Sequence, residues 1–330
     1  MNKIKSIGIT GVGMYVPKKV LTNADLEKMV DTSDEWITTR TGIKKRRIVK
    51  PGTPASALAV KAAKKALSKS KLAPQDLELI IVATITPDMQ FPSTACFVQA
   101  KLGAKNAVAF DISAACSGFL YALVIAQQFI QSGLYKNALI IGVEVLTSIT
   151  DWTDRNTCVL FGDGAGAAVL EPVASGGIVS TYLGTDGNLA DLLYMPGGGS
   201  KHPASNKTIK DRMHYIKMSG VEVFKSAVRI MADAATRAVC DAGITCDDIK
   251  LLIPHQANMR IIDSVRKRIG LKEKQVFLNV AKYGNVSAAS TIMALCEAVD
   301  QKGIKKNDYI VLVAFGGGFT WGSVVLKWSY

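Results

Sequence analysis

Short apolar runs alternate along the chain with stretches of helical periodicity. Residues 77–84 (LELIIVAT), Ala138–Val145 (ALIIGVEV), 249–256 (IKLLIPHQ) and Tyr309–Gly316 (YIVLVAFG) are four such runs, of strand length and largely apolar. They repeat: residue 79 answers to 251 and residue 139 to 311, the same offset of 172 in both pairs. A third pair, 164–170 (GAGAAVL) and 322–327 (GSVVLK), is alike in composition. Between these runs each half carries the same unit. In the first it is a strand over 107–112, a turn over 113–118 and an apolar helix pattern ending at Gly133. In the second it is a strand over 276–280, a turn over 282–287 and a helix ending near Gly303. Glycine after the last periodic residue is a helix stop. Strands alternating with helices predict parallel strands in α/β layers. The repeat predicts two similar halves, 1–172 and 173–330, packed around a pseudo-twofold axis. The Gly-, Ser- and Pro-rich stretch 196–206 predicts a loop.

Composition narrows the class. With 330 residues, 48% hydrophobic and 20% charged, the chain is neither disordered nor fibrous. Forty Lys and Arg against 27 Asp and Glu give a formal net charge of +13, which asks for an acidic partner. No apolar run approaches the roughly 18 residues of a membrane span. The start, Met1-Asn-Lys-Ile-Lys-Ser-Ile-Gly, brings charge and glycine before a signal-peptide core can form, so a cytoplasmic location is expected. Six cysteines are then expected to stay reduced. They form no Cys-x-x-Cys, and three histidines make a metal site unexpected.

Three residues attract attention for chemistry. Cys116 lies in Asp111-Ile-Ser-Ala-Ala-Cys-Ser-Gly, where a strand turns into a helix through small residues. A helix N-terminus there is expected to lower the thiol pKa, and a thiolate is the species that attacks a thioester. Taken blindly, a cysteine is more often a buried structural residue, as Cys158 and Cys296 in their apolar runs are expected to be. His255 ends a predicted strand in Pro254-His-Gln-Ala-Asn, where α/β sheets gather ligands; a hydrogen-bonded loop histidine is the plain alternative. His202 and His214 look exposed. Asn285, in Tyr283-Gly-Asn-Val-Ser, maps by the offset of 172 onto Ser113 beside the cysteine turn, although Gly-Asn alone is an ordinary turn signal. Gly316-Gly-Gly-Phe-Thr-Trp-Gly can bring backbone N–H groups close to an oxyanion, or serve as a flexible connector. Gly162-Asp-Gly-Ala-Gly lacks the order of a dinucleotide loop and precedes a strand, so it reads as close packing. Lys44-Lys-Arg-Arg reads as a solvated basic patch, and no nucleic-acid motif accompanies the charge.

Together these segments resemble the β-ketoacyl-acyl carrier protein synthase III family, the condensing enzymes that start fatty acid synthesis. The resemblance runs from Gly8 to Trp328. It also includes 23–36 (NADLEKMVDTSDEW), Thr39-Arg-Thr-Gly-Ile, Phe161-Gly-Asp-Gly-Ala-Gly and Phe315-Gly-Gly-Gly-Phe-Thr-Trp-Gly-Ser. It implies a thiolase-like α/β fold of two pseudo-symmetric halves in α-β-α-β-α layers, the first carrying the nucleophile and the second the His and Asn. The family's triad falls on Cys116, His255 and Asn285. The implied reaction is a decarboxylative Claisen condensation: Cys116 takes an acyl group from acyl-coenzyme A, His255 and Asn285 stabilise the enolate of malonyl-acyl carrier protein, and the carbanion attacks the acyl-Cys116. The backbone N–H groups of Cys116 and Gly317 would hold the tetrahedral oxyanion. Elongating relatives use a second His where this chain has Asn285, and thiolases need a second cysteine beyond Cys296, which is absent.

Further residues carry over from the same resemblance. Coenzyme A contacts fall on Thr32, Trp36, Arg40, Arg155 and Asn258, with Trp36 stacking on adenine, Arg155 covering its other face and Arg40 meeting phosphate. Without the family these would read as a packed aromatic and solvated charges. Acyl-pocket walls fall on Leu146, Phe161, Leu193 and Phe315, with Phe91 reaching in from the other subunit of a homodimer. Docking of the acidic carrier protein falls on Lys225, Arg260, Lys267 and Arg268; residues 260–274 hold six Lys or Arg against two acidic residues. Coenzyme A thioester is a substrate, and no cofactor, metal, nucleic acid or membrane is implied. Val221 departs from the family, many of whose members are polar there. Two other readings stand beside the first. One is a relative with the same triad in alkylquinolone, polyketide or long-chain ketone synthesis; the other is an inert scaffold or basic nucleic-acid-binding protein.

Overall fold

The computed structural model describes residues 6–330. Most of the start on which the signal-peptide expectation rested lies outside the described residues. The chain begins with β1 (Ile7–Tyr15). A small hairpin of β2 (Lys19–Thr22) and β3 (Lys45–Ile48) then brackets α1 (Asn23–Leu26) and α2 (Asp34–Thr41). Next come α3 (Ala55–Ser70), β4 (Leu79–Ala83), α4 (Thr94–Leu102), β5 (Val108–Ile112), α5 (Gly118–Gln131), β6 (Ala138–Val145), α6 (Arg155–Cys158) and β7 (Asp163–Pro172). After β8 (Gly177–Thr185), the two-residue strands β9 (Leu193–Tyr194) and β10 (Lys217–Met218) flank α7 (Asn206–Lys210). Then follow α8 (Gly220–Asp241), β11 (Ile249–Pro254), α9 (Met259–Arg268), α10 (Val280–Tyr283), α11 (Ala288–Gln301), β12 (Tyr309–Gly316) and β13 (Thr320–Lys327).

Two sheets result. Strands up to Pro172 form a five-stranded sheet in the order β1-β7-β6-β4-β5, and strands from Gly177 form a four-stranded sheet in the order β11-β12-β13-β8. Read from β8, the second order repeats the first up to its last place. The registers repeat too: Ile80 pairs with Leu139 and Leu252 with Val311, both related by 172. The predicted strand over 276–280 is not a strand. It is reduced to one bridge between Leu252 and Val276, followed by the short helix α10. The expectation of parallel strands also holds only in part. β4–β5, β4–β6 and β11–β12 are parallel, whereas β1–β7, β6–β7, β12–β13 and β13–β8 are antiparallel. The reason is connection length: β12 and β13 are joined by residues 317–319 alone, which suffices for a hairpin but not for a parallel crossover.

Three apolar clusters mark the layers. One joins the facing sides of both sheets through α5 and α11, with Phe119, Leu120, Leu123, Ile292 and Leu295 fully buried. A second packs α3 and α4 on the outer face of the first sheet, and a third packs α8 and α9 on the outer face of the second. The order is therefore α-β-α-β-α. Close approach of α11 to the first sheet needs glycine: a Cβ on Gly142 would stand 2.5 Å from the Ala288 carbonyl, and one on Gly166 2.5 Å from Ile292. This is the close packing expected for the glycines after Phe161. Among the described residues no helix is long and apolar enough to cross a membrane. The basic stretch at 44–47 is not simply solvated. Arg46 is fully buried, its guanidinium donating to Asn23 Oδ1 at 2.6 Å and to the Val159 carbonyl, and burial lowers it to about 10.

Candidate active site

The turn after β5 and the end of β11 open on the same cavity. Cys116 sits in a 3-10 turn, Ala115–Ser117, that opens α5. Ala115 holds φ of +44°, a left-handed conformation uncommon for alanine. At the equivalent place opening α11, Ser287 holds the same φ of +44°, 172 residues later. The two strained turns are twins across the pseudo-twofold, and such strain persists only where the surroundings hold it. The C-terminal glycines supply that hold at Cys116. Thr320 Oγ1 donates to the Ala114 carbonyl at 2.9 Å, and Ser117 Oγ donates to the Thr320 carbonyl at 3.0 Å. A Cβ on Gly316 would lie 2.6 Å from the Cys116 nitrogen, so only glycine lets that backbone approach the turn.

His255 follows directly on β11 and is 3% exposed. Its backbone N–H donates to the Val313 carbonyl at 2.7 Å, yet neither ring nitrogen has a partner. Burial lowers it to about 4, so the ring is a neutral imidazole near neutral pH. Asn285 is anchored on three sides. Its N–H donates to Leu160, its carbonyl accepts from Gly162, and its Oδ1 accepts the Ser287 N–H at 2.8 Å. The side-chain NH2 is what remains to meet a ligand. Two glycines permit this strap: a Cβ on Gly162 would stand 2.5 Å from the Tyr283 carbonyl, and one on Gly284 2.6 Å from that of Leu160.

Cys116, His255 and Asn285 all line one cavity of about 330 Å3. Leu146, Phe161, Leu193 and Phe315 line it as expected, as do Gly317 and Asn258. Phe91, expected to enter from the other subunit, is 85% exposed on the loop between β4 and α4 of this chain. The expected lowering of the Cys116 pKa is reversed. Burial pushes the thiol up to about 12, outweighing what the start of α5 and the neighbouring Ser287 hydroxyl supply in the other direction. The proton must therefore be taken from Cys116 when it reacts.

A cluster on α2 and α6 adjoins α9, whose start lines the cavity. Trp36 on α2 is flanked by two guanidinium groups, Arg40 at 4.7 Å and Arg155 at 4.6 Å from the ring centre. Arg155 also pairs with Asp31 at 3.1 Å. Asn258 caps α9 and donates to the Arg40 carbonyl at 3.0 Å, tying this cluster to the cavity. Thr32 Oγ1 is buried without a partner. On the outer face, Lys225 pairs with Glu222, Lys267 with Asp263 and Arg268 with Asp233, while Arg260 lies over Phe224. His202 and His214 are half-buried rather than exposed, and His214 Nε2 is 2.9 Å from Thr208 Oγ1. Among the described residues no cluster of His, Cys, Asp and Glu could hold a metal ion.

Two polar residues beside the thiol were missed. Glu144 is fully buried at the end of β6 and Ser287 is 2% exposed. A lone acid inside an otherwise apolar strand, and a serine two places after Asn285, were the signals available. Ile85, Ile149, Ile216, Ala227 and Met231, which also line the cavity, gave no signal beyond being apolar.

Comparison with known proteins gives one answer. Residues 110–187 match the family described as 3-oxoacyl-[acyl-carrier-protein] synthase III, and residues 240–328 match that family's C-terminal region. The chain is 59% identical, over 98% of both chains, to the β-ketoacyl-[acyl-carrier-protein] synthase III of Caldanaerobacter subterraneus. It superposes on the crystal structure of 3-oxoacyl-[acyl-carrier-protein] synthase III from Aquifex aeolicus with a TM-score of 0.90 at 50% identity, covering 98% of this chain and 100% of that one. The priming β-ketosynthase of the R1128 polyketide pathway aligns with a TM-score of 0.92 at 33% identity, covering 100% and 98%.

Proposed function

The chain belongs to the 3-oxoacyl-[acyl-carrier-protein] synthase III family, and from that premise we propose that Cys116, His255 and Asn285 carry its reaction. The protein is an acyl-transferring condensing enzyme of thiolase-like α/β fold. It joins an acyl-coenzyme A starter to malonyl-acyl carrier protein with loss of CO2, giving the 3-oxoacyl product that initiates fatty acid biosynthesis. Coenzyme A enters as a thioester substrate.

The Cys116 sulfur attacks the starter carbonyl and coenzyme A leaves, so the acyl group becomes a thioester on Cys116. The N–H groups of Cys116 and Gly317 receive the tetrahedral oxyanion; the tight approach of Gly316 to Cys116 supports this pairing. The malonyl thioester oxygen then lies between His255 and the Asn285 NH2. Two neutral donors stabilise the enolate as CO2 departs without supplying a proton that would quench it. The enolate carbon attacks the acyl carbon, and the Cys116 sulfur is released. The observation that carries this assignment is the pair of unpartnered ring nitrogens on a buried, neutral His255 facing the same cavity as Cys116.

The finer assignments belong to the same proposal. Trp36, Arg40, Arg155, Thr32 and Asn258 would receive coenzyme A, adenine entering between Trp36 and the guanidinium now resting on it. Lys225, Arg260, Lys267 and Arg268 would meet the carrier protein. The open edge of β5 and the exposed Phe91 fit a homodimer, and the 1–172 and 173–330 halves would share the site. A cytoplasmic location suits these substrates. Intact-protein mass after acetyl-, isobutyryl-, hexanoyl- and octanoyl-coenzyme A tests the central claim. An adduct on Cys116 that malonyl-acyl carrier protein discharges is expected, and Cys116→Ser should form none. An adduct on Cys116→Ser equal to that of wild type would remove Cys116 as nucleophile. Discharge by malonyl-coenzyme A alone would point to a specialised relative.

A further inference from the structure

One ionisable group at the reaction centre has no part in the steps above. The Glu144 carboxyl accepts from Thr86 Oγ1 at 2.6 Å, from Thr84 Oγ1 at 3.2 Å and from the Ile85 N–H at 3.2 Å. Burial raises it and these hydrogen bonds oppose that rise. Ser287 lies beside both this carboxyl and the Cys116 thiol, yet its buried Oγ closes no well-formed hydrogen bond to either. Ser287 also lines the cavity.

The pseudo-symmetry shows that packing does not require these two polar groups. By the offset of 172, Glu144 answers to Gly316 and Ser287 to Ala115. Each pair is a strand end set against the helix-opening turn of the other half. On one side it is glycine against alanine, and a Cβ on Gly316 would stand 3.2 Å from the Ala115 Cβ. On the other side it is a carboxyl against a hydroxyl. The backbone at Ala115 and Ser287 has the same φ of +44°, so alanine fits that turn. The hydroxyl and the carboxyl are additions made on one side only, and both adjoin the reacting sulfur.

We propose that Ser287 and Glu144 form a proton relay that takes the Cys116 proton. As the sulfur attacks, Ser287 Oγ accepts the thiol proton while its own proton passes to the Glu144 carboxylate. The tetrahedral adduct then expels the coenzyme A sulfur. The proton returns from Glu144 through Ser287 to that sulfur, so the half-reaction neither gains nor loses a proton. This rests on Cys116 being the acyl acceptor. The electrostatics agree with the geometry. Burial holds Glu144 up to about 7, which leaves both of its forms populated near neutrality. An ionised Glu144 raises the Cys116 thiol further, so moving the proton onto Glu144 removes the charge that opposes the thiolate. The other titratable groups on the cavity are His255, which burial keeps neutral, and the phenol of Tyr194. Asp163 on the adjoining β7 is engaged by the Thr147 hydroxyl and the Val49 N–H.

The test is the single-turnover rate of self-acylation by an acyl-coenzyme A between pH 5.5 and 8.5, read by rapid quench and mass with the label mapped to Cys116. The wild-type rate should rise through an inflection near pH 7, where the acceptor loses its proton. Ser287→Ala and Glu144→Gln should each slow acylation at least tenfold and remove the inflection, and Glu144→Asp should restore it. Ser287→Ala leaves the Thr84, Ile85 and Thr86 contacts of Glu144 in place, so it decides the matter if Glu144→Gln fails to fold. Label on Cys116 with the wild-type rate and profile in Ser287→Ala overturns the relay. So does an equal loss at every pH with the inflection kept. Absence of label on Cys116 in the wild type overturns the acyl-acceptor assignment itself.

Discussion

Burial gives His255 and Glu144 opposite effects on stability. A neutral histidine is favoured in the folded state, because His255 falls from its ordinary 6.5 to about 4. Its contribution is complete above pH 6.5 and is lost as pH falls toward 4, where the unfolded chain binds a proton that the folded chain refuses; the full loss is roughly 3 kcal/mol. Glu144 runs the other way. Raised from 4.5 to about 7, it contributes most below pH 4.5 and loses that contribution as pH rises through 7. Urea unfolding should therefore show His255→Asn losing less stability than wild type between pH 7 and 4.5, and Glu144→Gln losing less between pH 5 and 8. Parallel curves for variant and wild type would show that these groups titrate as they do in water. At Asn285 the expected split is kinetic. Asn285→Ala should still self-acylate but lose condensation by about 10²–10³-fold, the usual worth of one oxyanion donor; equal loss in both steps would give Asn285 another role. At this scale the three proposed residues could be picked out, because small residues around Cys116 and a histidine at a strand end are visible chemistry, and all three line one cavity. The protonation states were not legible. They depend on how deeply the second half covers the turn, which no local motif records.

At the scale of elements, the runs Ala138–Val145 and Tyr309–Gly316 could be read to the residue, since each is apolar but for Glu144 and follows a polar residue, Asn137 or Asp308. The stretch 276–280 could not. Val276, Phe277 and Val280 are buried by other means while Leu278 is exposed, and Gln256 takes the Asn279 N–H where a strand partner would stand. Strand direction was likewise set by connection length rather than by composition. The element with most at stake is the hairpin turn after β12. Gly316→Ala would push a methyl to 2.6 Å from the Cys116 nitrogen and displace either the turn or the glycine backbone. Self-acylation should fall about 10²-fold or more, on the scale of a lost oxyanion donor, with the molecule still folded. A single-turnover assay beside circular dichroism separates the two effects, and normal acylation would mean that the glycine loop gives way freely.

For the whole molecule, +13 is a long-range property distributed over many side chains, and part of it is neutralised locally. Asp263 alone takes Arg266 at 2.7 Å and Lys267 at 2.8 Å. Such exposed pairs contribute little to stability, but the remaining field can steer an acidic protein to the cavity mouth and weaken with salt. Reversing Lys225 and Arg260 to Glu should raise the KM for malonyl-acyl carrier protein severalfold and flatten its salt dependence, while self-acylation by acyl-coenzyme A stays closer to wild type. An equal loss with both substrates would remove the docking assignment. The layered architecture was legible at this scale because a duplication repeats its signal. The surroundings of Phe91 were not, since its side chain stands exposed and makes no packing pattern within this chain.

The stitch between Thr320 and the Cys116 turn has a consequence for how the enzyme fails. Cys116 is supplied by one half of the chain, and its turn is tied to the other by the Thr320 hydroxyl on the Ala114 carbonyl and by the Ser117 hydroxyl on the Thr320 carbonyl. Neither half owns the reaction centre, which is a seam rather than a pocket cut into finished cloth. Fraying at one edge would leave it untouched, but any slippage of one half against the other undoes it. Turnover in this protein is thus an all-or-none gauge of wholeness: a molecule that still condenses its substrates is one whose two halves have not parted.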